Sequence, residues 1–177
     1  SQAFLTEHTE NIGSVVVPVM EGNRPLLVEI QSLATTSYFG MPRRMANGVD
    51  FNRLLLIIAV LTKRANLKLG NQDILVNVAG GLKIEEPGAD LPIALSIASS
   101  FYDTGLKPGL AAVGEIGLSG EVRTVSHLDR RVVEAARLGF KYCLVPGSSL
   151  KSLPPQKGIE VIGVSTVKEA IFKGLLK

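Results

Sequence analysis

Apolar residues fall along the chain in short blocks whose period changes. Ser14-Val15-Val16-Val17-Pro18-Val19-Met20 and Pro25-Leu26-Leu27-Val28-Glu29-Ile30-Gln31 have strand composition, and Glu21 to Arg24 between them has turn composition. The pair predicts a β-hairpin. Pro18 has no N–H for a ladder, so its strand is expected at a sheet edge or at a bulge. Ala34 to Val49 is polar and contains glycine, and reads as a loop. Asp50 can cap a helix from Phe51 to about Leu67, where apolar positions recur at helical spacing, with Gly70-Asn71 closing the unit. Further strands are predicted at Asp73 to Ala79, Ala111 to Val113, Tyr142 to Val145 and Val161 to Val164. Helices are predicted at Leu91 to Tyr102, Leu128 to Leu138 and Val167 to Leu176. A hairpin followed by alternating strands and helices predicts an α/β domain with a mixed sheet.

At 177 residues, with 46% hydrophobic and 20% charged, the chain can build one full core. Its longest apolar run, Leu54 to Leu61, is too short to cross a bilayer, and Ser1 to Gly13 lacks the apolar segment of a signal peptide. That first stretch is aperiodic and reads as a linker, with the domain itself spanning 14–177. One cysteine, Cys143, excludes an internal disulfide and any multi-cysteine metal site, which points to a reducing cytosol.

Net charge is +3, a weak argument for a polyanionic partner, but the distribution is uneven. Between Gly40 and Gln72 stand Arg43, Arg44, Arg53, Lys63, Arg64 and Lys68 against the single acid Asp50. Clustered cations of this kind suit phosphate contacts, and equally a solvated helix face.

The reactive residue types do not assemble into known chemistry. Gly80-Gly81 and Gly114 to Gly120 match no phosphate loop, having no Gly-x-x-x-x-Gly-Lys-Ser/Thr, and read as tight turns. Cys143 lies in an apolar strand, where a thiol is inert. His127 adjoins Ser126, but adjacency does not make a dyad. Ser96, Ser99 and Ser100 read as helix packing residues. Asp90 before Leu91-Pro92 reads as a helix cap, and Ser126-His127-Leu128-Asp129 as a variant capping box, each worth on the order of 1 kcal/mol. The two carboxylates could instead hold a divalent ion, though no third ligand is evident.

Three pieces carry a resemblance: Gly88-Ala89-Asp90-Leu91-Pro92-Ile93-Ala94, then Gly114-Glu115-Ile116-Gly117-Leu118-Ser119-Gly120-Glu121-Val122, then Leu128-Asp129-Arg130-Arg131. In this order they resemble the proteolytic domain of Lon. With Arg24 to Gln31, Pro42-Arg43-Arg44 and Gly48 to Arg53, they resemble more closely the Lon-like C-terminal domain of the bacterial RadA (Sms) family. The resemblance runs from Val15 to Pro146. It implies the ribosomal protein S5 domain 2-like fold. Lon-type peptidases place a serine and a lysine at successive helix starts, and those positions fall on Asp90 and Asp129. Neither the acyl-ester nor the neutral amine of that mechanism is then available, so the domain itself is expected to have no peptidase activity.

What the family implies is a DNA repair and recombination protein, a DNA-dependent ATPase that migrates branched DNA as a hexameric ring. ATP, magnesium and zinc would serve domains upstream of this one, with no cofactor or metal in this domain. The expected partners are single-stranded or branched DNA, further copies of the chain and the RecA recombinase, in a bacterial cytoplasm near the nucleoid. Arg24, Arg43, Arg44, Arg53, Lys83 and Arg123 stand at element ends and are the expected DNA contacts, with surface ion pairs to acids such as Glu85 or Glu121 as the competing reading. Two other functions remain open at this level. One is a peptidase with a relocated nucleophile, Ser126 or Ser96; the other is an oligomerisation scaffold that never touches DNA.

Overall fold

The computed structural model describes residues 11–38 and 40–175. The first ten positions of the expected linker lie outside the described residues, as does Leu176, the predicted end of the last helix. Along the chain run β1 (Ser14–Glu21), β2 (Arg24–Thr36), β3 (Arg44–Asn47), α1 (Phe51–Arg64), β4 (Gln72–Val78) and α2 (Asp90–Phe101). There follow β5 (Leu110–Ala112), β6 (Glu115–Ile116), β7 (Val122–Arg123), α3 (Leu128–Arg137), β8 (Tyr142–Pro146), β9 (Glu160–Val164) and α4 (Val167–Gly174). A seven-stranded sheet has the order β3-β4-β2-β1-β5-β8-β9, and β6 and β7 form a separate hairpin. The β1–β2 and β2–β4 pairings are antiparallel and the others in the large sheet are parallel. The predicted mixed α/β architecture is the one observed.

The predicted hairpin forms with Glu21 opposite Arg24, turning through Gly22 at φ 61°. Its first strand is not an edge strand, which corrects the reading of Pro18. Strand β1 lies inside the sheet, but its pairing with β5 is confined to Val16 opposite Ala111, and β5 stops at Ala112. Beyond that point no strand needs an N–H from Pro18, and its carbonyl accepts from Arg131 Nη1 at 2.9 Å. A second correction concerns the predicted loop 34–49, which contains the end of β2 and all of β3. Strand β3 is four residues of mixed polarity pairing with β4 from one side, too short to show a period.

Helix α1 starts where Asp50 predicts, with its carboxylate accepting from Arg53 N at 2.9 Å. It ends earlier than predicted, at Arg64, because Asn66 turns left-handed at φ 60°. Leu67 and Leu69 are buried outside the helix, which is why the apolar spacing ran on past its end.

Helix α2 is the centre of the core, buried from Asp90 through Ser99. Its small residues allow close approach to β1 and β2, and its hydroxyls replace lost water contacts. Ser96 Oγ donates to Ile93 O at 2.7 Å and lies 2.5 Å from Ser32 Oγ; Ser99 Oγ accepts from Gly13 N at 2.9 Å. Truncating one of its buried leucines, Leu91 or Leu95, would cost about 2–5 kcal/mol. Alternation along β2 turns Ser32 toward α2 and Leu27 toward the other face, where Leu27 shares a groove with Glu134 and Leu138 at the end of α3. Helices α2 and α3 thus cover opposite faces of the hairpin strands.

Candidate functional site

The N-termini of α1 and α2 converge on a cleft of about 560 Å³, closed by Gly48–Asp50 on one side and Lys83–Pro87 on the other. Asp90 opens α2 at its base and is 1% exposed. Two local devices set it there. Pro87–Ala89 forms a single tight turn, and the backbone is clamped by Leu91 N to Gly114 O and Gly114 N to Gly88 O, both 2.9 Å. The cap position of α2 is Ala89, which has no side-chain acceptor, so the helix has no side-chain cap. The Asp90 carboxylate instead points to a neighbouring helix. Arg53 Nε donates to Asp90 Oδ1 at 2.8 Å, Arg53 Nη2 donates to Oδ2, and Ile116 N donates to Oδ2 at 3.0 Å. The reading of Asp90 as a cap of its own helix is therefore corrected: it is the acceptor of a bidentate guanidinium pair, the strongest planar arrangement open to a carboxylate. Burial raises its pKa, opposed by the bonds from Arg53 and Ile116, while the hydrogen bond to Asp90 raises that of Arg53.

Asp129 is elsewhere. It is exposed in the first turn of α3 and lines a different pocket, with Thr124, Ser149 and Ser152. The capping box expected at Ser126–Asp129 does not form. His127 sits at the cap position in left-handed geometry, φ 53° and ψ 37°, with no side-chain cap. Ser126 serves Arg131 instead, its carbonyl accepting from Nε at 2.8 Å and its hydroxyl from Nη2 at 3.5 Å. A side-chain cap on the same signature forms at Thr166 and Glu169: Thr166 Oγ1 accepts from Glu169 N at 3.1 Å, while Glu169 Oε1 reaches one residue past the cap and accepts from Ser165 N at 2.7 Å.

Among the described residues, neither alternative nucleophile bonds to a base. Ser96 is fully buried against Ile93 and Ser32, and Ser126 bonds to a guanidinium, which cannot accept its proton. Cys143 is fully buried, and burial pushes its thiol up to about 12. Among the described residues, no group of three or more His, Cys, Asp or Glu side chains is placed to hold a metal ion. No helix among them is long and apolar enough to cross a membrane.

The six expected DNA contacts stand in several local settings. Arg53 and Lys83 line the cleft. Arg43 and Arg44 lie at the β3 edge: Arg43 N donates to Asp73 Oδ1 at 2.7 Å and its Nη2 pairs with Oδ2 at 3.3 Å, while Arg44 Nη2 donates to Leu69 O at 3.1 Å and its Nη1 to Gln72 O. Arg24 lies near the end of α3, in a groove with Glu134 and Arg137. Arg123 pairs with Glu121 at 3.2 Å. Sequence reasoning missed Arg131, the largest fully buried side chain. It ties α3 to the Pro18 carbonyl and to Glu86 on the cleft wall. No local pattern marks a buried arginine whose partners stand 45 and 113 residues away.

The mixed seven-stranded sheet with its packed helices is that of a Lon/ChlI-like domain. The chain belongs to the family described as subunit ChlI of Mg-chelatase, whose profile matches residues 34–149. It is also homologous over nearly its whole length to bacterial DNA repair proteins named RadA. Identity is 52% over 176 residues with that of Bacillus subtilis (strain 168), covering 99% of this chain and 38% of the relative. It is 53% over 172 residues with that of Halalkalibacterium halodurans, covering 97% and 38%, and 46% over 176 residues with that of Listeria monocytogenes, covering 99% and 38%. The chain thus spans less than half the length of these curated relatives.

Proposed function

We propose that this chain is the non-proteolytic Lon-like domain of a DNA repair ATPase of the RadA kind, and that it serves ring assembly and DNA binding. The observation that carries this is the buried pair of Asp90 with Arg53. A peptidase needs a nucleophile and a base there; a carboxylate held by a guanidinium is neither. The whole protein would be a hexameric, DNA-dependent ATPase that migrates branched DNA alongside the RecA recombinase. It would work in the cytoplasm near the nucleoid, with ATP, magnesium and zinc held by other domains. The domain's share is side-by-side packing and sequence-independent phosphate contact, which is strongly salt-dependent.

Two measurements test the reading. A serine-reactive phosphonate together with a casein cleavage assay is expected to give neither labelling nor cleavage, and stoichiometric labelling of one serine would refute the non-proteolytic role. DNA retention at low salt is expected to weaken in Arg24→Ala, Lys83→Ala and Arg123→Ala. Equal retention by the wild type and the three variants would remove these residues from the interface, and no retention by any would leave ring assembly alone.

A further inference from the structure

The C-terminal ends of α1 and α2 meet α4 around a groove of about 450 Å³. Ala65 and Leu175, both buried, lie in it with Tyr102, Ile171 and Phe172, and Thr104 stands at one side. Tyr102 and Phe172 are nonetheless 47% and 66% exposed. Lys168 is exposed at the rim, and among the described residues no carboxylate lines the groove. Contiguous apolar surface edged by charge marks a place where another segment packs.

We propose that the occupant is the chain's own first segment, residues 1–10, which lays Phe4 and Leu5 in this groove. Three features choose it. The first is position. Gly13 N donates to Ser99 Oγ at 2.9 Å and Ser99 Oγ donates to Thr104 O at 2.6 Å, so the chain joins the fold two hydrogen bonds from the groove wall. From Leu5 to Gly13 an extended chain spans about 26 Å, far more than that gap. The second is composition: Phe4 and Leu5 are the only large apolar residues of the segment and are adjacent, a pair suited to walls made by Tyr102 and Phe172. The third is charge. The segment carries Glu7 and Glu10 with no lysine or arginine, whereas the groove has Lys168 at its rim and exposed Lys63 and Lys68 on either side of Ala65 in the chain. Tethering selects this occupant over a second copy or a separate peptide, because a short flexible link gives an effective concentration of about millimolar. The proposal goes beyond the DNA reading. In the longer protein proposed above, docking of this segment fixes the direction from which the preceding chain enters the domain.

The test is hydrogen–deuterium exchange of this chain over a dilution series, read on the fragments covering residues 1–10 and the end of α4, with a free peptide of residues 1–10 as reference. Residues 1–10 are expected to exchange more slowly in the chain than in the peptide, at every dilution. Phe4→Ala/Leu5→Ala alters the segment alone, and Phe172→Ala alters an exposed wall of the groove. Each is expected to speed exchange of residues 1–10 about tenfold. The Phe4/Leu5 variant is also expected to speed exchange at Ile171 to Leu175, because the groove loses its cover. Exchange of residues 1–10 at the free-peptide rate in the wild type would overturn the proposal. So would protection that survives Phe172→Ala, or a Phe4/Leu5 variant that leaves the end of α4 unchanged. Protection that fades on dilution would overturn it in favour of a second copy's groove.

Discussion

Replacing Arg53 by methionine is the sharpest probe of the cleft. The substitution keeps the length and most of the packing of the stem but strands the Asp90 carboxylate, 1% exposed, with a single remaining donor, Ile116 N. Breaking a buried ion pair by removing one partner costs about 3–5 kcal/mol. The Arg53 side chain is 31% exposed, which puts this pair at the low end, about 3 kcal/mol near neutral pH. With a urea m-value of about 2 kcal/mol/M, the unfolding midpoint should fall by about 1.5 M. The penalty must also depend on pH. Burial already raises Asp90 in the wild type against the bonds from Arg53, so removing Arg53 raises it further. A carboxyl with a raised folded-state pKa favours the fold below its unfolded value, about 4, and loses that contribution as pH rises through the folded value. Urea unfolding at pH 5 and pH 8 should therefore show a larger deficit at pH 8. The Arg53→Met/Asp90→Asn double variant should recover most of it, because no charge is then left buried. A deficit below about 1 kcal/mol, equal at both pH values, would refute the ion pair.

Three further outcomes follow from single contacts. Asp73 is held below the usual carboxylate range, first by the Arg43 backbone N–H and also by its guanidinium. Its stabilisation is present above its unfolded value of about 4 and lost as pH falls through the folded value, so Asp73→Asn should lower stability at neutral pH and flatten the acid limb of a pH titration. Thr166→Ala removes the side-chain cap of α4 and should cost about 1 kcal/mol in urea unfolding, whereas Ser126→Ala should show no capping loss from Asp129. Cys143, with its thiol pushed up to about 12, should be silent to a thiol reagent in the native state and react stoichiometrically in denaturant; rapid native labelling would contradict its burial.

Local chemistry was legible in the sequence, and long-range pairing was not. Asp50 could be assigned as a cap because its acceptor and its donor, Arg53 N, are three residues apart. The same Thr/Ser-x-x-acid signature occurs at Ser126–Asp129 and at Thr166–Glu169, yet a side-chain cap forms in the second alone. What separates them is Arg131, which draws both oxygens of Ser126 into a network with Pro18 and Glu86. Pro18 misled for a related reason. The rule that proline avoids interior strands concerns the missing N–H, and an interior strand whose neighbour stops short makes no demand on it.

The site was harder to read than the fold because charge in a sequence carries no information about where it is neutralised. The basic segment from Gly40 to Gln72 looks like a polyanion surface, but Arg53 is consumed by Asp90, 37 residues away, Arg43 by Asp73 and Arg44 by backbone carbonyls. Along β2 the alternation that buries Val28 and Ile30 also turns Ser32 inward against Ser96 and leaves Leu33 exposed. The buried serine is tolerated because α2 offers a hydroxyl at that position. Register then sets Leu75 and Met45 beside Leu33 on the far side of the strands. An apolar row facing away from α2 is thus a consequence of the alternation that builds the core.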